Sequence, residues 1–310
     1  MSVVFFGSSK FVIPIIEVLR KNFDLKLVLT TEKLPSKVPQ GEALRSYPVV
    51  NYCIENKIPY LSVSSLSDPN LKFKIENLKL KIAVLADFGL IIPQQILNIF
   101  PMGIINIHPS LLPKYRGPTP VQTAILNGEK VTGVSIMKLD NEIDHGPILG
   151  QEKEEILDAD TSESLYKRLF EKGANLLLEV LPKYLNENLE PIPQNHQEAT
   201  FTNHLTRQSG FLDFEKFKIK NSIKIKNLKL KIRAYAPWPG VWANLMINGK
   251  VLRIKFLPEE KIQVEGKKPM SYKDFINGYP DAAKNLEFII QNSKLNSESR
   301  IINSTFNSEL

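Results

Sequence analysis

What most constrains the fold is the alternation, through the first third of the chain, of wholly apolar runs with helix-spaced segments. SVVFFG (2–7) is β-branched and aromatic, and Gly7 closes it. SKFVIPIIEVLRKNF (9–23) repeats apolar residues at Val12, Ile15, Ile16 and Leu19, the spacing of one helix face, and DLKLVLTT (24–31) is a second strand. KIAVLAD (81–87) and MGIINIH (102–108) are apolar almost throughout, as strands are when both faces are buried. Strand–helix–strand units of this kind imply an α/β fold, a parallel sheet with helices on both faces.

The remaining pattern fills in the order. A polar loop covers 32–48, followed by a helix at 49–56 and a short strand at 58–63. Helices are expected near 93–99 and 119–127. VTGVSIMKLD (131–140) alternates as a strand, and GPILGQEKEEI (146–156) reads as its hairpin partner. Residues 162–185 form a long amphipathic helix with Thr161 or Ser162 as N-cap ahead of an acidic first turn. ENLEPIPQNHQEATFTN (187–203) has the prolines and polar density of an extended linker, and short alternating runs up to about 285 suggest a small β-rich domain. The expected division is therefore 1–186, a linker at 187–203, a second domain at 204–285 and a polar tail at 286–310. KFKIKNSIKIKNLKLKIR (216–233) holds eight basic residues and no acid; its alternation at Ile223/Ile225 and Leu228/Leu230/Ile232 fits a strand, and a helix is the alternative.

Composition excludes some classes. With 43% hydrophobic and 24% charged residues and no bilayer-length apolar run, the chain reads as soluble. No basic leader or h-region precedes the first strand, and a lone Cys53 allows no internal disulfide, so a cytoplasmic location is expected. No Cys/His spacing suits a zinc site, and no metal is expected. The charge is lopsided: residues 1–200 hold 21 Lys+Arg against 23 Asp+Glu, whereas 201–310 hold 19 against 10. A basic module beside a near-neutral one points to a polyanionic partner such as nucleic acid, although the lysine-rich composition of the whole chain is a competing explanation.

The candidate chemistry begins at INIHPSLLPKYRGPTP (105–120). Residues i and i+2 of a strand face one side, so Asn106 and His108 present an amide and an imidazole together at a carboxyl strand end, where open parallel sheets bind ligands. Such a pair can hold an oxygen that gains negative charge in acyl transfer, and the imidazole can move a proton. Asp144, in LDNEIDHGPIL ahead of a Gly146–Pro147 turn, is the candidate to orient the ring. Singly, an Asn–His pair is more often structural, Asp144 a turn residue and His145 solvated; the combination carries the chemistry.

NIHPSLLPKYRGPTPVQTAILNG followed by TGVSIMKLDNEIDHGPIL closely resembles the formyltransferase family that uses 10-formyltetrahydrofolate. FFGSSKFVIPIIEVL, HLTRQSGFLDF (204–214), RAYAPWPGVWA (233–243) and VEGKKPMSYKDFINGY (264–279) resemble, within it, the branch acting on methionyl-tRNA. The resemblance covers about residues 1–285. It implies a Rossmann-like catalytic domain and a smaller OB-like β-barrel domain that binds tRNA, in a monomeric enzyme of translation initiation. It implies 10-formyltetrahydrofolate as cosubstrate and methionyl initiator tRNA as partner. Asn106, His108 and Asp144 carry over as the catalytic set, and Ser110, Leu111, Leu112 and Pro113 as the folate-binding loop. Phe88, Gly89 and Leu90, in ADFGLIIP (86–93), would line the pterin pocket through their backbone. The glycine- and arginine-rich loop usual after the second strand is absent; Lys33, Lys37 and Arg45 stand there, and with Lys224, Lys226, Lys229 and Lys231 they are the candidate tRNA contacts. The alternatives are a sugar-nucleotide N-formyltransferase and a non-catalytic RNA-binding relative. No P-loop, GxGxxG or nucleophile elbow supports another enzyme class.

Overall fold

The first strand, β1 (Ser2–Phe6), shows why its sequence is unbroken by polar residues. Val3 and Phe5 enter one core, Val4 and Phe6 the other, and all four are wholly buried. A strand covered by helices on both faces has no polar side to display. A computed structural model describes residues 2–31, 47–213, 222–247 and 249–283.

The chain divides into two compact units. The first comprises Met1–Val121, Lys130–Ile156 and Leu165–Asn203. Its seven-stranded sheet runs β3 (Tyr60–Ser62), β2 (Asp24–Thr30), β1, β4 (Ala83–Leu85), β5 (Ile104–His108), β6 (Val131–Lys138) and β7 (Ile148–Glu155). The first five are parallel, and β6 and β7 are antiparallel to their neighbours. This is the mostly parallel α/β sheet expected, with the expected β6–β7 hairpin at one edge. On one face the helices Ile13–Asn22, Pro48–Glu55 and Ser162–Leu185 bury Ile15, Ile16, Leu19, Val49, Cys53, Phe170 and Leu177. On the other, Leu71, Ile75 and Ile96 come from the helices Pro69–Glu76 and Gln94–Leu97, the first of which sequence periodicity did not reveal. Edge strand β7 alternates part-buried and exposed residues from Gly150 onward, and Lys172 pairs with Glu152 and Glu154 along it, charges that discourage edge-to-edge pairing.

Strand order reverses beside β1, where β2 and β4 flank it. Beyond the carboxyl ends of β1 and β4, Ser8 N donates to Asp87 O (3.0 Å) and Ser8 Oγ to Phe88 O (3.0 Å). The adjacent strand in that direction is β5, which carries Asn106 and His108.

Residues 187–203 are not an extended linker. They belong to the first unit, where Ile192 bridges to Ile148, Arg116 pairs with Phe201, and Gln194 is 5% exposed. Buried partners for its backbone and for Gln194 bind a stretch whose composition alone reads as spacer.

The second unit comprises Gln122–Glu129, Leu157–Ser164 and His204–Leu310. Its four-stranded antiparallel sheet is ordered β11 (Met270–Ser271), β10 (Lys261–Val264), β9 (Lys250–Leu257) and β8 (Val241–Ile247). Val241, Ala243, Leu245 and Ile247 face inward from β8, with Ile254, Phe256, Ile262 and Val264 also buried. Ser271 caps the helix Tyr272–Gly278, its Oγ accepting from Asp274 N (3.1 Å) and donating to the Asp274 carboxylate (2.7 Å). Thr161 is the N-cap of the helix Ser162–Leu185: Thr161 Oγ1 accepts from Ser164 N, and Ser164 Oγ accepts from Thr161 N. Residues Ser222–Ala234 are a helix, which decides the alternative left open for the described part of 216–233, residues 222–233. Leu228 and Ile232, at i and i+4, are buried, as are Ala234 at its end and Tyr235 just beyond.

Candidate active site

β5 ends in Asn106 and His108, 7% and 5% exposed. Ile105 and Ile107 between them face the opposite core, so the i, i+2 alternation places the amide and imidazole on one side. Asp144 reaches them from the loop after β6. Its Oδ1 accepts from Asn106 Nδ2 (3.2 Å) and lies 3.6 Å from His108 Nδ1; its Oδ2 accepts from the backbone N–H of Gly117 (2.8 Å). The three side chains expected to act together do meet.

Two backbone features allow this. Asp144 sits at φ +49, a left-handed conformation that Asp tolerates better than most residues, and it turns the carboxylate inward. At Gly146 a Cβ would lie 2.0 Å from Lys138 O, so only glycine lets the turn pack so closely on the end of β6.

The hydrogen bonds also assign the imidazole's protons. His108 Nε2 lies 3.0 Å from Tyr115 O, an acceptor only, so Nε2 carries a proton and donates. Nδ1 is left facing the Asp144 carboxylate.

The SLLP segment is anchored from below. Ser135, wholly buried on β6, donates through Oγ to Ser110 O (2.6 Å) and accepts from Leu112 N (3.0 Å). Gln151 Nε2 donates to Leu112 O and to Ser135 Oγ, each at 2.8 Å. Ser110 Oγ donates to Lys114 O (2.7 Å), and Leu112 is 3% exposed. Pro113 follows a cis peptide bond. Leu111 fills the space over Gly133, where a Cβ would meet its Cδ2 at 2.5 Å. Phe88 is 2% exposed and packs edge-on against Phe6 with centroids 5.3 Å apart, so its ring is a core element and only its backbone is available. Gly89 follows at φ +80, and Leu90 packs partly on the same core.

Several participants escaped sequence reasoning. Gln194 and Arg116 are buried and bonded to each other, with Arg116 Nη2 2.8 Å from Gln194 Oε1. Arg116 Nη2 also donates to His196 Nδ1 (2.8 Å). His145, expected to be solvated, stacks on His196 with centroids 3.9 Å apart and planes within 3°, and its Nδ1–H donates to Asp140 Oδ2 (2.6 Å). Arg116 stands inside the quoted motif; nothing in the local sequence around Gln194 marks it.

Of the candidate tRNA contacts, Lys33, Lys37 and Arg45 lie outside the described residues, as do the side chains of Lys224 and Lys226. Lys229 is part-exposed, 3.9 Å from Glu260 Oε1. Lys231 is not a free member of an exposed row: it is half-buried, its ammonium lies 5.6 Å from the Tyr235 ring centroid and 3.4 Å from Phe211 O, and desolvation lowers its pKa.

Comparison with known proteins decides the family. The formyl transferase family model matches residues 1–181, more than half of the chain. The chain belongs to the formyltransferase family. A methionyl-tRNA formyltransferase of Alkaliphilus oremlandii is 32% identical over 308 residues, covering 90% of this chain and 96% of that protein. Another, from Thermus thermophilus, is 39% identical over 242 residues, covering 77% and 75%. Among solved structures, a sugar N-formyltransferase from a Shewanella species superimposes with a TM-score of 0.61 at 21% identity, covering 84% of this chain and 98% of that one. At that identity the likeness is one of fold. Formyltransferases of this family are enzymes, and among the described residues no helix is long and apolar enough to cross a membrane.

Proposed function

We propose that this formyltransferase moves the formyl group of 10-formyltetrahydrofolate to the α-amino group of methionyl initiator tRNA. The observation that carries the reading is the buried meeting of Asn106, His108 and Asp144 within 3.6 Å at the end of β5. The names and coverage of the methionyl-tRNA formyltransferase relatives support the choice of acceptor.

The neutral amine attacks the formyl carbon, a C–N bond forms, and the carbonyl electron pair moves onto oxygen. Asn106 has a second amide hydrogen besides the one given to Asp144 and donates it to that oxyanion, while both nitrogens of the His108 ring are held by Tyr115 O and the Asp144 carboxylate. The proton lost by the amine passes to the His108–Asp144 pair. Collapse of the tetrahedral intermediate breaks the bond to folate N10, which receives a proton and leaves. Ser110, Leu111, Leu112 and Pro113, held by Ser135 and Gln151, together with the backbone of Phe88, Gly89 and Leu90, form the wall for the folate.

The second unit is read as the OB-like, tRNA-binding domain, with Lys229 and the basic run around it contacting phosphates; the protein works in the cytoplasm as a monomer. The test is formyl transfer to charged initiator tRNA beside charged elongator tRNA and a nucleotide-linked amino sugar. Transfer to the initiator alone is expected, and transfer only to the sugar would overturn the reading.

A further inference from the structure

We infer that Gln194 is a positioning residue for the Asp144 carboxylate, acting through the turn that carries it; the inference rests on the role proposed for Asp144. Gln194 Nε2 donates to Asp144 O (2.9 Å) and to Gly146 O (2.7 Å), while its Oε1 accepts from Arg116 Nε (3.2 Å) and Nη2 (2.8 Å). Both amide hydrogens and both lone pairs are thus used, in a side chain 5% exposed against an arginine 3% exposed. A buried amide satisfied at every position has one orientation, because each alternative leaves a polar group unpaired.

What it orients is the carboxylate's support on two sides. The two accepting carbonyls flank His145 in the turn where Asp144 holds φ +49, a strained conformation that persists only when surrounding bonds require it. Arg116, on the other side, lies between the two backbone groups that reach the site. Tyr115 O takes the His108 Nε2 proton, and Gly117 N–H binds Asp144 Oδ2. One buried Gln–Arg pair therefore joins the turn bearing the carboxylate to the loop that fixes both the carboxylate and the imidazole. His196 closes the arrangement from outside. Arg116 can only donate, so His196 Nδ1 accepts and its proton sits on Nε2, with the ring stacked on His145 next to Asp144. None of these residues need touch the reacting atoms.

Two substitutions separate this role from packing. Gln194→Met keeps the length and removes all four bonds; Gln194→Glu keeps the acceptors for Arg116 but turns an oxygen toward the two carbonyls. Single-turnover formyl transfer at saturating folate should fall about 10²-fold in both, with KM for folate unchanged within about twofold, because a displacement near 1 Å at the reacting groups costs that much. In an Asp144→Asn background the same substitutions should cost nothing further, since a residue acting only through that carboxylate is non-additive with its loss. Gln194→Glu at the wild-type rate would overturn the inference. So would a further loss in the Asp144→Asn background, which general misfolding would also produce. An Asp144→Asn enzyme that itself runs at the wild-type rate would sink the functional reading instead.

Discussion

The backbone N–H of Gly117 donates to Asp144 Oδ2 across 2.8 Å, leaving Oδ1 to Asn106 and His108. Gly117 holds φ +103, and a Cβ there would stand 3.0 Å from both Thr202 O and Thr202 Oγ1. Gly117→Ala is therefore expected to cost on the order of 1–3 kcal/mol of stability and to lower kcat together with it. Thermal unfolding and steady-state kinetics on one preparation check both; an unchanged kcat would mean that this amide does not set the carboxylate.

Asn106→Ala removes an amide that touches Asp144 and, in the proposed mechanism, the oxyanion. Loss of one oxyanion donor typically lowers turnover about 10²–10³-fold. Folate affinity, measured by calorimetry, should hardly move. A single-turnover rate within a few-fold of wild type would remove Asn106 from the chemistry.

Ser135 is wholly buried and makes three hydrogen bonds, two of them to the backbone of the SLLP segment. Ser135→Ala leaves Leu112 N–H and Ser110 O without that partner, a cost of about 1–3 kcal/mol for an unsatisfied buried group. The expected signature is a raised KM for folate with KM for the tRNA unchanged. Equal changes in both would indicate general loosening of the unit.

Binding of tRNA should weaken steeply with salt, because phosphate contacts release counterions. Lys229 is only loosely paired, at 3.9 Å from Glu260, so its charge is available to a phosphate. Lys229→Ala should reduce the slope of log K against log salt by roughly 0.7–0.9 while leaving single-turnover kcat alone. An unchanged slope would place the contact elsewhere on the basic segment.

Much of the first unit was legible because its signals are local. Runs such as SVVFF and IAVLA are apolar on both alternating sets of positions, and only a strand covered on both faces needs that pattern. The same alternation located Asn106 and His108 on one side. The local sequence does not tell whether the Phe88 ring packs on a core or lines a cleft, and its edge-on contact with Phe6 is visible only in the fold. The lysine-rich helix Ser222–Ala234 was ambiguous for a related reason: Leu228, Leu230 and Ile232 alternate, yet Leu228 and Ile232 also lie i, i+4. Burial of those two with Tyr235 chose the helix.

The succession of strands and helices along the first unit, the pairing of β6 with β7 and the adjacency of amide and imidazole were determined by the amino-acid sequence, since each follows from periodicity within a few residues. Tertiary structure alone decided that Asp144 meets Asn106 across 38 positions, and that Gln194, 78 positions beyond Arg116, locks the turn between them. Contacts at such separations depend on which backbone groups remain unpaired once the sheet has closed. No window along the chain contains both partners, so no local pattern records them.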